Sequence, residues 1–426
     1  MKTGTTEYFP AMQEQLPPEP QTFSDRYDIA IIGGGAAGLA AAISYLRREG
    51  HGRLIVVEAN DVCGKKLLAT GNGRCNISNL SADGYQETKE FFKSIGVLFR
   101  VEQGGRAFPM SGQAASVRDA LLYAAKREGA EIRYSARVSH VEKIGGGNAS
   151  SEERIPSDGD FSIYFDRDAN GEPNGGQKGE TNGPPPIRAG RLLIATGGKA
   201  GPQFGCFGDG YAIARSLGHS VESIRPALVP LIYTEQEKMR LEGLAGVRIR
   251  AKAELLIDGK TTAVASGELQ LTAYGLSGVM IFDLSTMMPK SIIEGKPFTE
   301  ILLDFAPGEK AETLEQLVRE NSGLRLEGVV GKKLSDLIAG ESDNDAARMA
   351  GLAKGFRIQV CGTKGWKEAQ ATLGGIRTSE IDQETGESLI CKGVFFTGEV
   401  LEPVFICGGF NLDHAWTSGL RAGEHM

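Results

Sequence analysis

Clustered positive charge is what this sequence most lacks. Lys and Arg number 47 against 54 Asp and Glu, a net charge of −7. Neutralising a phosphate backbone takes clustered Lys and Arg, so a large nucleic-acid-binding surface is not expected. Long apolar runs are missing too: no stretch approaches the ~18 residues that cross a bilayer. The six cysteines (Cys63, Cys75, Cys206, Cys361, Cys391 and Cys407) form no C-x-x-C pair and no metal-like spacing. Reduced thiols in a cytoplasmic protein are expected, not a disulfide framework. Residues 1–25 are rich in Pro, Gln, Glu and Thr and lack an apolar signal core. They are expected to form a disordered leader and not a targeting peptide.

Glycine is in excess, at 58 of 426 residues, a length that suits two or three domains. The first ordered unit is expected at Tyr27, where YDIAII gives a buried strand, GGGAAG a tight turn, LAAAISYLRREG an Ala-rich helix and RLIVVE a second buried strand. Such a β-α-β unit suits a parallel sheet covered on both faces. An amphipathic helix, SVRDALLYAAKREGAEI, leads into one more strand near Ile132–Val141. The polar segment Gly145–Pro186 encloses one short strand at Phe161–Phe165 and precedes a buried strand, RLLIATGG. From about Val221 the pattern alternates and is broken by turns, as in an antiparallel β domain.

These patterns predict an α/β fold: a discontinuous Rossmann-type cofactor-binding domain carrying an inserted antiparallel β domain and a small helical domain. The expected bounds are 26–220 and 373–426 for the cofactor domain, 221–284 and 351–372 for the β domain, and 285–350 for the helical insertion.

The cofactor is argued from spacing. Gly33, Gly35 and Gly38 form G-x-G-x-x-G between a strand and a helix. The first permits the turn, the second admits a pyrophosphate, and the third lets helix and strand pack closely. Glu58 follows Gly38 by 20 residues and ends the second strand, where its carboxylate would accept from a ribose diol and disfavour a 2′-phosphate. That much fits FAD or NAD. GKKLLATGNGRCNISN (Gly64–Asn79) is a polar glycine loop of the kind that cradles an extended flavin. ATGG (Ala195–Gly198) and TGE (Thr397–Glu399) end two further strands, and GGFN (Gly408–Asn411) opens a final helix whose N-terminus would stabilise negative charge on a reduced flavin. Together they point to FAD.

These blocks, with RAFPMSGQAASV, LIATGGKAGPQFGCFGDGYAIARSLGH and GVFFTGEVLEPVFICGGFNLDHAWTSG, resemble those of the BaiN-like NAD(P)/FAD-dependent oxidoreductases, also called the aminoacetone oxidase family. The match covers essentially the whole chain after the leader. The resemblance implies FAD contacts at Gly33, Gly35, Ala36, Ala37, Gly38, Glu58, Lys66, Gly71, Asn72, Gly73, Arg74, Asn76, Ala195, Gly198, Gly398, Glu399, Gly409, Asn411 and Leu412. Two blocks depart from the family pattern. GPQFGCFG stands where relatives often read S-Y-P-x-x-G-S-T-G, gaining Cys206, and LEPVFICGG replaces the acidic L-D-V-D-G-x-x-G-G.

The expected activity is FAD-dependent oxidoreduction, with electrons passing from NADH or NADPH to a small organic acceptor bearing an activated C=C or C=O. No second G-x-G-x-x-G follows a strand, so a pyridine nucleotide would dock transiently at the flavin. Arg74, Arg106, Tyr274 and His414 are polar candidates near the motif blocks, each with a structural alternative: an ion-paired arginine, a half-buried tyrosine, a helix-face histidine. Cys75 beside Arg74 has no resolving partner, which favours packing. Asp166–Gln177 has the D-x-D-x-N-G spacing of a calcium loop but no flanking helices and Gln177 in the last position, so no metal is expected. Flavin-dependent tRNA modification and a sensor with structural FAD are the competing readings.

Overall fold

The run RYDIAII forms β1 (Arg26–Ile32), whose last four residues are all buried. Three glycines turn the chain into α1 (Ala36–Leu46), an alanine-rich helix buried on nearly every side. β2 (Leu54–Val57) is buried throughout and lies parallel to β1, with Ile29 opposite Leu54 and Ile32 opposite Val57. The computed structural model describes residues 26–144, 160–166, 185–288 and 299–426. The expected leader, most of Gly145–Pro186, and all but Asp166 of the calcium-type spacing lie outside the described residues.

After β2 come β3 (Ser78–Asn79), α2 (Tyr85–Ser94), β4 (Phe99–Val101) and β5 (Arg106–Pro109). Their three strands form a small sheet in the order β3-β5-β4. α3 (Ala114–Arg127) follows, then β6 (Glu131–Arg133) and β7 (Val138–Ile144). The sequence suggested one strand across this last stretch. The chain instead breaks at Ser135, which sits at φ 50°. β6 pairs with β2, while β7 pairs with β8 (Asp160–Phe165) at the opposite end of the sheet. β9 (Ile187–Ile194) runs parallel to β1 and is followed by α4 (Asp209–Ser216).

The insert begins with β10 (Arg225–Ala227), β11 (Leu231–Tyr233), α5 (Glu235–Arg240), β12 (Arg248–Ile257), β13 (Lys260–Leu271), β14 (Gly275–Ser277) and α6 (Val279–Thr286). It continues through β15 (Thr299–Asp304), the helices α7 (Ala311–Glu320), α8 (Glu327–Val330), α9 (Lys332–Glu341) and α10 (Ala346–Lys354), and then β16 (Phe356–Thr363). Six of these strands close into an antiparallel barrel in the order β11-β14-β13-β12-β15-β16. Closure leaves the barrel no open edge. The expected helical stretch 285–350 therefore also supplies a strand. TEILLD alternates buried and half-buried positions and pairs with β12 and β16 on its two sides. So short an alternation, lying next to strong helical periodicity, is easily missed.

β17 (Ala371–Leu373) pairs with β10. β18 (Val394–Phe396) returns to the first sheet, making the cofactor domain discontinuous, and α11 (Phe410–His425) closes the chain. The completed sheet has the order β6-β2-β1-β9-β8-β7, with β18 also on β9. β9 divides its far side, pairing with β8 over residues 187–189 and with β18 over 192–194. α11 lies against α1 at close range because Gly419 and Gly423 have no side chains. A Cβ at either would stand 2.5 Å from a backbone oxygen, that of Ala37 or Ala41.

Candidate functional site

The β1–α1 turn forms the floor. Gly33 adopts φ 109°, and its N–H donates to the Val57 carbonyl at 2.8 Å. A Cβ at Gly38 would meet the Gly33 oxygen at 2.0 Å, so this glycine sets how closely α1 seats on the strand. Gly35 differs: a Cβ there meets nothing within 4 Å, and its φ of −83° is open to any residue. Protein packing does not require this glycine, and the open space is consistent with a ligand at the helix N-terminus. No side chain caps that terminus, leaving its N–H groups and positive dipole end for an anion. Ala36 is half-buried and Ala37 buried in the same turn.

Glu58 is buried at the end of β2 and already has three protein donors. Oε2 accepts from Gly34 N–H at 2.9 Å, and Oε1 accepts from the backbone N–H and the side-chain amide of Asn60, both at 2.8 Å. A carboxylate has about four lone-pair sites, so room for a ribose hydroxyl remains. Asn60 has no place in the glycine spacing and was not anticipated.

The glycine loop after β2 is conformationally unusual. Gly71, Asn72, Gly73 and Cys75 all lie at positive φ. Two non-glycine residues in that region within one turn mark a segment whose surroundings over-determine its shape. Asn76 ends the loop, with its side-chain oxygen buried and without a hydrogen-bond partner among the described residues. Arg74 is engaged by the protein: its guanidinium donates to Glu102 Oε1 at 2.5 Å and lies 4.1 Å over the Phe108 ring. Cys75 is fully buried, and burial pushes its thiol up to about 12.

Segments far apart in sequence close the remaining sides. Lys66 Nζ pairs with Glu399 Oε2 at 2.7 Å, and Glu399 Oε1 accepts from the Thr372 N–H at 3.0 Å. Ala195 and Gly198 follow β9; a Cβ on Gly198 would meet Thr372 Oγ1 at 2.2 Å and Glu399 Oε1 at 2.6 Å. Thr372 Oγ1 also accepts from the N–H groups of Lys199 and Ala200, at 2.8 and 3.0 Å. Gly398 N–H donates to Ser418 Oγ at 3.1 Å, tying the TGE turn to α11.

Gly409 caps α11 at φ 107°, and a Cβ there would stand 2.4 Å from the Ser78 oxygen and 3.0 Å from Asn76 Oδ1. This N-terminus also lacks a side-chain cap. It is held by Asp413, whose Oδ1 accepts from Ser78 Oγ at 2.5 Å and Thr88 Oγ1 at 2.9 Å. Asn411 and Leu412 are engaged with the protein. The Asn411 amide exchanges hydrogen bonds with the backbone of Phe405 at 3.0 and 2.8 Å, and Leu412 packs on the cluster around Leu39 and Trp416.

Two of the three other polar candidates are placed differently. His414 lies beside the Phe405 ring at 5.1 Å, its Nε2 buried without a hydrogen-bond partner among the described residues. Burial, then the charge of Arg421, pushes it down to about 4, so it is neutral at pH 7. Tyr274 carries the Lys364 ammonium 4.2 Å over its ring, on the turn between β13 and β14.

The residues present fit FAD. Two uncapped helix N-termini, an open Gly35, a buried carboxylate at the end of β2 and an unpartnered Asn76 oxygen would serve its phosphates, ribose and polar ring edge. Among the described residues no group of three His, Cys, Asp or Glu side chains is placed to hold a metal ion. No helix among them is long and apolar enough to cross a membrane.

A family model described as the HI0933-like protein Rossmann domain matches residues 172–425, and an FAD binding domain model matches residues 28–95. The chain is 33% identical over 437 aligned residues to a 3-dehydro-bile acid delta(4,6)-reductase of Clostridium scindens, covering 93% of this chain and 98% of that one. It is 25% identical to a ribosomal RNA dihydrouridine synthase of Escherichia coli, covering 94% of this chain and 98% of that one. It is 27% identical to a protein of the same name from Haemophilus influenzae, covering 91% and 95% respectively. With the glycine turn, the buried carboxylate and the two bare helix termini in one cradle, the chain belongs to the HI0933-like family and is an FAD-dependent oxidoreductase.

Proposed function

We propose that this protein reduces a C=C bond conjugated to a carbonyl in a small organic acceptor, using FAD held in the cradle described above. The observation that carries the reading is the convergence at α11. Its uncapped N-terminus, Gly409 and the unpartnered Asn76 oxygen meet where Cys407, just before the helix, is held by the barrel helix α6 through Asp283. The redox-active end of the cofactor would thus lie where the cofactor domain meets the barrel, a junction suited to an acceptor. When bound, FAD supplies the two-electron redox chemistry. The protein orients it: Gly33–Gly38 and the α1 N-terminus hold the pyrophosphate, Glu58 the ribose, Lys66 and Glu399 the ribityl chain, and Asn76 with the α11 N-terminus the ring.

The Clostridium relative is named for reduction of a 3-dehydro bile acid at positions 4 and 6, which is conjugated C=C chemistry. In our reading NADH or NADPH is the transient reductant. The six unpaired cysteines suit a reducing compartment, and the cytoplasm is our proposed location.

A second reading keeps the same chemistry and changes the acceptor. The uracil ring also has a C=C conjugated to a carbonyl, and two relatives covering over nine-tenths of the chain are named for ribosomal RNA dihydrouridine. The expectation of no nucleic acid is therefore itself under test. The net charge of −7 favours the small molecule. The experiment adds NADH or NADPH to the purified protein without oxygen, then offers a conjugated 3-oxo steroid or unmodified ribosomal RNA. Bleaching of the flavin band followed by steroid reduction is expected; reduction of RNA uridine alone would transfer the assignment to the second reading.

A further inference from the structure

Arg106 opens β5 and is half-buried. Among the described residues its guanidinium makes no hydrogen bond and no ion pair, although its charge reaches Asp283 and Cys407. A guanidinium drawn partly out of water without an acceptor is costly, and its planar fork of donors matches an oxygen acceptor. Asp283 approaches from α6, and its Oδ1 accepts the Cys407 N–H at 2.7 Å. Burial raises the Asp283 carboxyl, and the Cys407 hydrogen bonds and the Arg106 charge only partly offset that.

Arg106 also stands next to the proposed redox end of the cradle. It lies opposite Asn79 in the β3–β5 ladder, and the Asn79 amide donates to the Gly408 carbonyl at 3.0 Å, one residue before the α11 cap. Large exposed apolar side chains neighbour these residues along the chain. Leu80 follows Asn79, Met287 lies one helical turn after Asp283, and Ile406 precedes Cys407; they are 58%, 52% and 48% exposed. A guanidinium without a partner among the described residues, with exposed apolar side chains on the neighbouring segments, is the pattern of a site for an apolar molecule with one polar end.

We propose that Arg106 binds the conjugated carbonyl oxygen of the acceptor, that Leu80, Met287 and Ile406 receive its hydrocarbon body, and that Asp283 positions the Cys407 loop beside them. The assignment rests on the proposed reading as a reductase of conjugated C=C bonds. When hydride adds to the β-carbon the C=C electron pair shifts toward that oxygen, a solvent proton then reaching the α-carbon, and a guanidinium beside the oxygen would stabilise the enolate charge without reorganisation. The substrate class is thus an apolar, steroid-like ring system ending in an α,β-unsaturated ketone.

The test is calorimetric titration of the FAD-loaded protein with a 3-oxo-4-ene steroid and with the same steroid lacking the 3-oxygen. Arg106→Met is expected to weaken the ketone ~10- to 100-fold, the loss of a charge-assisted hydrogen bond, and to leave the deoxy steroid unchanged. Arg106→Lys keeps the charge and should recover part of that loss. It also decides the matter if Arg106→Met loses flavin absorbance or melts early. Asp283→Ala, which frees the Cys407 loop, should weaken both steroids alike, whereas Asp283→Asn retains an acceptor for the Cys407 N–H and should bind both within a few-fold of wild type. Ketone binding by Arg106→Met equal to wild type, in a protein that still reduces the ketone, overturns this assignment and leaves the functional reading standing. A wild-type protein that reduces no conjugated C=C overturns both. One that ignores both steroids and binds a uridine oligonucleotide overturns the apolar substrate class.

Discussion

Two glycines three residues apart should respond to the same substitution in opposite ways. A methyl group at Gly38 would stand 2.0 Å from the Gly33 carbonyl oxygen and 3.2 Å from Ile31 Cγ2. Both are fixed parts of the β1–α1 turn, so α1 must lift from the strand. Overpacking of this kind costs about 1–3 kcal/mol. The same methyl group at Gly35 meets nothing within 4 Å, on a backbone any residue can adopt. Gly35→Ala should therefore leave the cofactor-free protein within ~0.5 kcal/mol of wild type, or slightly above it through lost unfolded-state entropy. Its cost should appear on FAD binding, because the space it fills is where the pyrophosphate would approach the protein backbone. A loss on the order of tenfold to a hundredfold in affinity is expected, ~1.4–2.8 kcal/mol. The assay is urea unfolding of both variants after flavin removal, then titration with FAD followed by flavin fluorescence. A Gly35→Ala protein that binds FAD like wild type, or whose cofactor-free form is as weakened as Gly38→Ala, would refute the division between a cradle glycine and a packing glycine.

Lys66→Met removes a partly exposed ion pair, so stability should fall by less than about 1 kcal/mol while FAD affinity drops severalfold; unchanged affinity in the fluorescence titration would place Lys66 outside the cradle. His414 has a folded value of about 4 against an ordinary 6.5, so between those values the unfolded chain binds more protons. Stability present above pH 6.5 should then be lost as pH falls, by roughly 2 kcal/mol at pH 5. His414→Phe should flatten that dependence in urea melts at pH 7 and pH 5, and an identical slope in both proteins would contradict it. Cys63 and Cys75 are buried and pushed up to about 12, largely by burial, whereas Cys361 is exposed. A thiol reagent at pH 8 should show one fast reaction that Cys361→Ser removes; a fast phase that survives points to a thiol opened by local unfolding.

The sequence carried the cofactor domain well because its signals are local. A glycine turn between an apolar strand and an alanine-rich helix, with Glu58 ending the next strand, requires little from the rest of the chain. The barrel was legible as antiparallel β structure but not as a closed ring. Closure depends on β15, six residues inside a helical stretch, pairing with β12 and β16. The single strand expected at Ile132–Val141 failed for a related reason, since a left-handed Ser135 has no glycine or proline to announce it. Within the site, residue type was a weaker guide than surroundings. Arg74 and Asn411 stand within or beside the motif blocks, yet their side chains are occupied by Glu102, Phe108 and the Phe405 backbone. Asp283 and Thr372 lie outside those blocks and become visible only when the barrel helix and β17 are brought against the cradle. Arg106 was a candidate from sequence, but that its guanidinium has no partner among the described residues is a three-dimensional fact.

The central claim is that this FAD-binding chain delivers electrons to a C=C bond conjugated to a carbonyl. The direct measurement reduces the FAD-loaded protein with dithionite without oxygen, removes excess reductant, and mixes it with a 3-oxo-4,6-diene steroid while flavin absorbance and product mass are followed. The yellow band should return as product with one of the two C=C bonds reduced appears in equal amount, two electrons for each flavin reoxidised. A band that stays bleached with this steroid and with uridine-containing RNA, and returns only when oxygen is admitted, would contradict the account.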